Sequence, residues 1–355
     1  MSFQFNFEDS DLEIDETNIV QIPHQSVDSN NTTTLKSLDS NWPVDLIKAE
    51  SLKLNELLST LKDVRLTYSK FKLNSETEII RRELYDIRHQ IMSESDPTTN
   101  TEVVNLDFLD KDDLLKNVYE GGLTTWECSL DLVKYLDQTF SKNSENGKIN
   151  KIIELGCGTA LPSLYLLNQT FKNKVQNIDY MLCDYNEYVL RLVTLPNILI
   201  NWYDEMISHA ENVEIINSTQ EQPENIVENE FTISAAFIDL FINYLNSNNI
   251  QINFAKGSWS NDLINIIDQN MSPENRLILT SETIYQPDTM PLLTETIMKL
   301  KENGSNNKII LATKDIYFGV GGNLVDFITL LKSKYSQSTY QIIKSDKSNR
   351  SLVMI

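Results

Sequence analysis

The spacing of apolar residues changes along the chain and separates two regions. Between residues 51 and 117, leucines and isoleucines recur at helical intervals in SLKLNELLSTLKDVRL and in ETEIIRRELYDIRHQIM. These intervals predict an N-terminal extension of amphipathic helices that packs on a larger domain. From residue 118 to 355, short apolar runs alternate with amphipathic stretches. Strands that alternate with helices are typical of an α/β domain with a doubly wound, mostly parallel sheet.

The α/β region contains five runs that read as sheet strands: KIIEL, DYMLCD, QINFAK, RLILTSE and KIILATK. Helices are predicted around Leu132, from about Pro162, in NEYVLRLVTLPNILINW with a break near Pro196, in MPLLTETIMKLKE, and after GGN. Residues 204–250 are expected to include a helix and a variable insertion. The last segment, TYQIIKSDKSNRSLVMI, consists of two β-runs around a polar turn. It predicts an antiparallel hairpin at one edge of the sheet.

The first 50 residues have a different composition. They carry ten acidic residues against two lysines, together with the polar tract SVDSNNTTT. So little apolar surface cannot offset the entropy lost on ordering, which predicts a disordered acidic arm. A short docking segment anchored by Phe3, Phe5 and Phe7 is the alternative.

The charge of the chain limits its partners. Thirty basic and 51 acidic residues give a formal net charge of −21. Such a surface repels phosphate backbones, which disfavours direct nucleic-acid binding and an RNA methyltransferase, and it attracts a basic partner.

Cysteine usage and hydropathy bear on compartment and metal binding. Three cysteines and three histidines are scattered without a CxxC or HxxxH pair, so we expect no metal site. We find no secretory signal and no run long enough to span a bilayer. We therefore expect a cytoplasmic protein with unpaired thiols that does not bind membranes, and we leave nuclear entry open.

The glycine turn in KIIELGCGTALP follows a predicted strand and precedes a predicted helix, as ligand-binding turns of parallel sheets do. The dinucleotide fingerprint needs a third glycine where Leu161 stands, and the phosphate loop GxxxxGK[ST] is absent. Glu154 would repel a phosphate and would suit a ligand with a positive amino group. These features favour S-adenosylmethionine, whose methionyl part could approach the backbone at Gly156 and Gly158.

A second carboxylate is expected at the end of the next strand to bind the ribose hydroxyls. Asp184, which closes YMLCD, stands there. Eight of the ten glycines lie in YEGGLTTWE, ELGCGTA, KGSW and YFGVGGN. This clustering at predicted strand ends indicates a ligand site wider than the one turn.

Six segments together resemble the protein histidine methyltransferases, a family of the seven-strand methyltransferase superfamily. They are YEGGLTTWECSLDL, ELGCGTALP, DYNEYVLRLVTLPN, GSW, TSETIYQPD and KDIYFGVGG. The resemblance covers residues 118 to 355, and LKDVRLTY and RRELYDIRHQIM extend it to fungal members. It implies a Rossmann-like sheet, S-adenosylmethionine as methyl donor, and methylation of a histidine on its tele nitrogen. The implied substrate is a large-subunit ribosomal protein, the third in the standard numbering.

The resemblance also implies roles for individual residues. The implied cofactor-binding set is Thr125, Trp126, Glu127 and Cys128 at the methionyl end, Glu154, Gly156 and Gly158 in the turn, Asp184 on the ribose, Tyr185 and Asn186 along the adenosine, Ser258 and Trp259 at the adenine, and Ser281. Glu282 and Tyr285 are the catalytic candidates, with Asp315 as a further one. A carboxylate that accepts the N–H of one imidazole nitrogen leaves the other nitrogen bare for methylation.

Two other functions stay open at this point. One is a protein-lysine methyltransferase of the same superfamily, in which an aspartate often stands where this chain has Glu282. The other is a non-catalytic assembly factor that uses the acidic arm to bind a basic ribosomal protein. We expect a monomer in each case.

Overall fold

A computed structural model describes residues 47–73, 78–94, 122–140, 149–220, 229–346 and 349–355. The acidic arm lies almost wholly outside these residues, and so does the expected boundary between residues 117 and 118. The arm was predicted to reach residue 50. The first strand already starts there, and Ala49 is buried, so the last residues assigned to the arm belong to the folded part.

The strands in chain order are β1 (Glu50–Leu52), β2 (Arg65–Lys72), β3 (Glu78–Arg82), β4 (Lys151–Leu155), β5 (Ile178–Asp184), β6 (Glu230–Thr232), β7 (Ile250–Lys256), β8 (Arg276–Ser281), β9 (Lys308–Lys314), β10 (Gln341–Lys344) and β11 (Arg350–Met354). The helices are α1 (Leu54–Thr60), α2 (Leu84–Glu94), α3 (Glu127–Phe140), α4 (Leu161–Lys172), α5 (Glu187–Val189), α6 (Leu195–Ile207), α7 (Ala210–Asn217), α8 (Ala235–Asn248), α9 (Asn261–Asn270), α10 (Met290–Glu302) and α11 (Leu324–Lys334).

Within the described residues, the main sheet has eight strands in the order β1-β7-β5-β4-β8-β9-β11-β10. The five strands from β7 to β9 are parallel, with Ile153 of β4 paired to Met181 and to Ile278. The β10–β11 hairpin continues the sheet antiparallel to β9. These findings confirm the α/β fold and the terminal hairpin expected from the sequence.

Helices cover both faces of the sheet, because its parallel strands are apolar on both sides. One face packs against α1, α3, α4, α6 and α8, and the other packs against α9, α10 and α11. Successive side chains of a strand point to opposite faces. In β4, Ile152 therefore belongs to the first core, and Ile153 and Leu155 belong to the second.

The N-terminal extension is only partly helical. The first predicted helix ends at Thr60, and β2 follows it; the second divides into β3 and α2. β2, β3 and β6 form a small antiparallel sheet. Leu66 and Tyr68 alternate with more exposed neighbours and so have the burial pattern of a strand. Since β2 pairs with distant β6, local helical spacing could not reveal it.

The helix predicted to break near Pro196 is continuous. A π-helical turn, Leu190–Thr194, joins α5 to α6, and Pro196 lies in the first turn of α6. The π-helical turn just before Pro196 interrupts the regular i→i−4 hydrogen bonds, so the chain can stay helical although proline has no N–H to donate. The segment from 204 to 250 contains α7, β6 and α8, and residues 221–228 of the expected insertion lie outside the described part.

Candidate active site

A cavity opens at the carboxyl ends of β4, β5, β7 and β8, where ligands bind in open α/β sheets. Its empty volume is about 990 Å³, including space open to solvent. The wall consists of Gly122, Thr124, Trp126, Ser129, Gly156, Cys157, Gly158, Thr159, Asp184, Tyr185, Gly257, Ser258, Trp259, Ser281, Glu282, Thr283, Tyr285, Thr289 and Leu292. These residues come from distant parts of the chain, and the parallel strands bring them together.

The glycine turn after β4 forms the floor of the cavity. Gly156 and Gly158 both have positive φ, 64° and 51°. A Cβ on Gly156 would lie 2.6 Å from Cγ2 of Thr283 and 3.6 Å from the Trp259 ring. The turn can pass between these side chains only because residue 156 has no side chain.

Asp184 fixes this turn to the end of β5. One carboxylate oxygen accepts a hydrogen bond from the Gly158 amide at 2.9 Å, and the other accepts one from the Asn186 amide at 3.1 Å. Thr194, in the π-helical turn, donates its hydroxyl to the Gly158 carbonyl at 2.7 Å. The amide N–H and the carbonyl oxygen of Gly158 are therefore both held by residues of other elements.

Glu154 does not line the cavity. Strand alternation places it on the α4 side of β4, where it is buried and accepts a hydrogen bond from the Ser163 amide at 2.9 Å. Burial raises the pKa of this carboxyl to about 8, and the Ser163 bond opposes the shift. Glu154 was expected to contact a positive group of the ligand, but its side chain does not reach the cavity. It instead ties the start of α4 to β4.

Glu282 turns into the cavity at the end of β8. Its φ is 58°, an uncommon value for a residue with a side chain, and its amide donates to the Ala312 carbonyl at 2.9 Å. Oε1 accepts a hydrogen bond from the Cys128 amide at 3.2 Å. Oε2 is buried and has no hydrogen-bond partner among the described residues. A buried carboxylate oxygen without a donor from the protein can accept a hydrogen bond from a ligand or an ordered water in the cavity.

Two more buried polar groups at this end of the sheet lack a partner among the described residues. They are the Asn186 side-chain amide nitrogen and the Ser258 hydroxyl. Asn186 follows the β5 end, and Ser258 lies in the wall beside Trp259. The Asn186 nitrogen can donate a hydrogen bond to a ligand, and the Ser258 hydroxyl and Oε2 of Glu282 can accept one.

The segment from Thr125 to Cys128 meets the cavity through one side chain only. Trp126 lies in the wall, and the Lys314 ammonium lies 5.6 Å from its ring centre. Glu127 points outward to Arg350 and Lys314, at 3.2 and 3.6 Å. Cys128 is buried behind Glu282. Thr125 accepts a hydrogen bond from Arg81 of β3 at 2.8 Å, so the extension braces this segment.

The structure therefore brings ten of the predicted site residues into one cavity wall: Trp126, Gly156, Gly158, Asp184, Tyr185, Ser258, Trp259, Ser281, Glu282 and Tyr285. Thr125, Glu127, Cys128, Glu154 and Asn186 lie outside it. The binding role of each residue stays a prediction.

Nine wall residues were not predicted from the sequence: Gly122, Thr124, Ser129, Cys157, Thr159, Gly257, Thr283, Thr289 and Leu292. Gly122 and Gly257 lie in the glycine clusters YEGGL and KGSW, which were the available signal. Thr124, Ser129, Cys157, Thr159 and Thr283 lie within the segments that carry the resemblance, and Thr289 and Leu292 lie outside them.

The cavity offers no ionised thiol and no metal cluster. Burial raises the pKa of the Cys157 thiol well above its usual range, and that of Cys128 is raised chiefly by burial and also by the Glu282 charge. A thiol that keeps its proton is a poor nucleophile. The described residues contain no group of three His, Cys, Asp or Glu side chains that could hold a metal ion.

None of the helices described is long and apolar enough to cross a membrane.

Comparison with known proteins shows similarity over nearly the full chain. Histidine protein methyltransferase 1 of Saccharomyces cerevisiae is 36% identical over 349 residues, which cover 94% of this chain and 91% of the relative. Histidine protein methyltransferase 1 of Schizosaccharomyces pombe is 32% identical over 315 residues, with 86% and 85% covered. No family model matches the chain.

Among solved structures, the N-terminal domain of human METTL16 in complex with SAH is similar with a TM-score of 0.36 and 9% identity. The match covers 85% of this chain and 90% of that chain.

Proposed function

The chain belongs to the histidine protein methyltransferase family, and we propose that its acceptor is a histidine, methylated on the tele nitrogen, of a large-subunit ribosomal protein, the third in the standard numbering. The enzyme is a protein-histidine methyltransferase, and S-adenosylmethionine is its methyl donor. The observation that carries the mechanism is the open carboxylate oxygen of Glu282 in the cavity wall.

The cavity fits this methyl donor. Because Gly156 has no side chain, the turn packs directly against Thr283 and Trp259, and its backbone lines the cavity, where it can approach a ligand closely. Asp184 closes β5 with a buried carboxylate that can also accept from ribose hydroxyls, and the unpaired Asn186 amide and Ser258 hydroxyl are polar groups available for the nucleoside. Trp259 supplies an aromatic surface beside the turn. When bound, S-adenosylmethionine supplies an electrophilic methyl group on a positively charged sulfur.

The main work of the protein is alignment and exclusion of water. A neutral imidazole is nucleophilic without a strong base, because its pKa of about 6.5 leaves it mostly unprotonated at pH 7. The acceptor ring must present the correct nitrogen and hold it in line with the methyl group. Asp184, Ser258 and Glu282 are buried at the strand ends, so that bound donor and acceptor together would displace water from this part of the cavity.

Glu282 selects the nitrogen that reacts. In the proposed arrangement its Oε2 accepts the N–H of the other ring nitrogen, which leaves the tele nitrogen bare. The same carboxylate stabilises the positive charge that develops on the ring as the methyl group is transferred. The Cys128 amide holds Oε1, so the orientation of the carboxylate is set before the acceptor binds. Tyr285, on the wall four residues past the end of β8, is the second candidate to contact the ring.

The charge of the enzyme supports a basic substrate protein. A net charge of −21 attracts a positively charged partner and raises its rate of encounter. Ribosomal proteins are basic, as the proposed acceptor must be. We propose in addition that the enzyme acts as a monomer in the cytoplasm, without binding nucleic acid directly.

The proposal is tested by incubating the enzyme with labelled S-adenosylmethionine and protein from cells that lack it. Mass spectrometry then identifies the labelled residue, and the Gly156→Arg variant serves as the inactive control. Label on the tele nitrogen of a histidine in the named ribosomal protein is the expected result. Label on lysine, or on a histidine of another protein only, would refute the proposed acceptor.

A further inference from the structure

A group of exposed apolar side chains follows β9 at the cavity end of the sheet. Of the ten exposed large apolar residues in the described part of the chain, four lie between residues 316 and 325. They are Ile316, Phe318, Val320 and Val325, with exposed fractions of 53%, 86%, 42% and 71%. We call these four residues the 316–325 patch. Apolar residues concentrated in this way mark interaction sites more often than chance exposure.

The loop that carries the patch is held in place by its backbone. The Tyr317 amide donates to the Gly322 carbonyl at 2.9 Å, and the Leu324 amide donates to the Asp315 carbonyl at 3.0 Å. The Tyr317 side chain is buried, and its hydroxyl accepts a hydrogen bond from Thr313 at 3.1 Å. The fold therefore buries Tyr317 while it directs its neighbours Ile316 and Phe318 outward.

The loop also packs directly against the cavity wall. The Gly322 amide donates to the Tyr285 carbonyl at 2.8 Å, and a Cβ on Gly322 would lie 2.4 Å from that carbonyl oxygen. Gly321 lies against Pro287, since a Cβ there would be 3.3 Å from the proline ring. Tyr285 is a wall residue. The patch is thus attached to the same segment that lines the cavity, where a protein acceptor must approach.

The charges around the patch complement a basic partner. Asp288 and Asp326 are exposed on the two segments that flank it. Two nearby lysines pair with carboxylates: Lys344 with Asp315 at 2.6 Å, and Lys314 with Glu127 at 3.6 Å.

We propose that the 316–325 patch binds the protein substrate, taking an apolar side chain next to the target histidine while Asp288 and Asp326 face basic residues beside it. This inference rests on the proposed function, because it assigns a surface to the acceptor of the same site. An exposed aromatic with apolar neighbours is the type of anchor that carries much of the binding energy of protein interfaces.

The test uses Phe318→Ala and Val320→Ala in the full-length enzyme. Val175→Ala is the matched control, because Val175 has a similar exposed fraction of 40% and lies before β5, at the amino ends of the parallel strands, opposite to the cavity. Total protein from cells lacking the enzyme is the acceptor, and histidine methylation is measured against acceptor concentration. Cofactor affinity, thermal stability and oligomeric state are measured for each variant.

We expect Phe318→Ala to raise the apparent KM for the acceptor about tenfold. Val320→Ala should raise it less, and Val175→Ala should leave it unchanged. Cofactor affinity and Tm should stay as in the wild type. An unchanged KM for Phe318→Ala would overturn the proposal.

Two other occupants of the patch give different results. If a second copy of the enzyme covers it, Phe318→Ala dissociates a dimer and leaves the KM unchanged. If another segment of the same chain covers it, Phe318→Ala lowers Tm without a selective effect on the KM. Either result would overturn the proposal and leave the proposed histidine acceptor intact, although a dimer would also refute the proposed monomer. A wild-type enzyme that labels no histidine would refute both, and it would do so before any variant is made.

Discussion

The replacement of Glu282 by glutamine isolates the role of one carboxylate oxygen. The amide oxygen of glutamine can still accept the hydrogen bond from the Cys128 amide, which now joins Oε1 of Glu282 at 3.2 Å. The amide nitrogen then takes the place of Oε2, which is buried without a partner among the described residues. The variant therefore keeps the shape of the site but replaces an anionic acceptor by a neutral donor.

The expected loss follows from the interaction that is removed. A hydrogen bond to a charged group contributes about 1.5–3 kcal/mol. Because about 1.4 kcal/mol corresponds to a factor of ten, Glu282→Gln should slow methyl transfer about 10- to 150-fold. Oε2 interacts with the acceptor ring, and the interaction strengthens as the ring becomes positive in the transition state. Since it does not involve the cofactor, the affinity for S-adenosylmethionine should change less than about threefold.

Single-turnover transfer from labelled cofactor gives the rate, and a calorimetric titration gives the cofactor affinity. Glu56→Gln is the contrast variant. Glu56 lies in α1, outside the cavity, and is exposed and paired with Lys53 at 2.9 Å, so its replacement should change the rate less than about threefold. A Glu282→Gln rate within about twofold of the wild type would refute the role of Glu282. A loss of cofactor affinity as large as the loss of rate would assign Glu282 to cofactor binding instead.

Three further variants test the site's framework. Gly156→Arg should abolish cofactor binding in a titration, because even a Cβ there would lie 2.6 Å from Thr283; unchanged affinity would contradict the site. Asp184→Asn should weaken cofactor binding about tenfold or more, because the asparagine oxygen can accept from one backbone N–H but its NH₂ group cannot accept from the other. An affinity equal to that of the wild type would exclude a role of Asp184 in cofactor binding. In the wild type, the unfolded chain releases the Glu154 proton near pH 4.5, whereas the folded chain keeps it up to about pH 8, so Glu154 makes stability fall as pH rises between these values. Glu154→Gln should remove this fall, so its Tm relative to the wild type should increase from pH 5 to pH 8.5, and a constant difference would contradict the raised pKa.

The fold and the position of the site could be predicted because they depend on local patterns. A buried parallel strand is a short apolar run, and an amphipathic helix repeats at 3.6 residues, so β4, β5, β7, β8 and β9 were found from the sequence. The turn at Gly156 and Gly158 was found because positive φ favours glycine. Asp184 was found because the ends of neighbouring parallel strands lie at one edge of the sheet.

Predictions went wrong where pairing or orientation depends on distant residues. β3 and the first two residues of β2 were predicted as helix, because the pairing of β2 with β3 and with distant β6 cannot be inferred from local spacing. Glu154 was expected to face the ligand. Strand alternation and the start of α4 direct it into the core, because an orphan amide at Ser163 needs an acceptor.

The sequence by itself determined the five parallel strands of the main sheet, several of the helices around them, the place of the glycine turn, and the strong negative charge. Each of these follows from the chemistry of neighbouring residues. Only the tertiary structure decided that the Cys128 amide holds one oxygen of Glu282 and leaves the other open, and that Gly322 fixes an exposed apolar loop to Tyr285. These contacts join residues that are far apart in the chain, and they exist only once the sheet has brought the strand ends together.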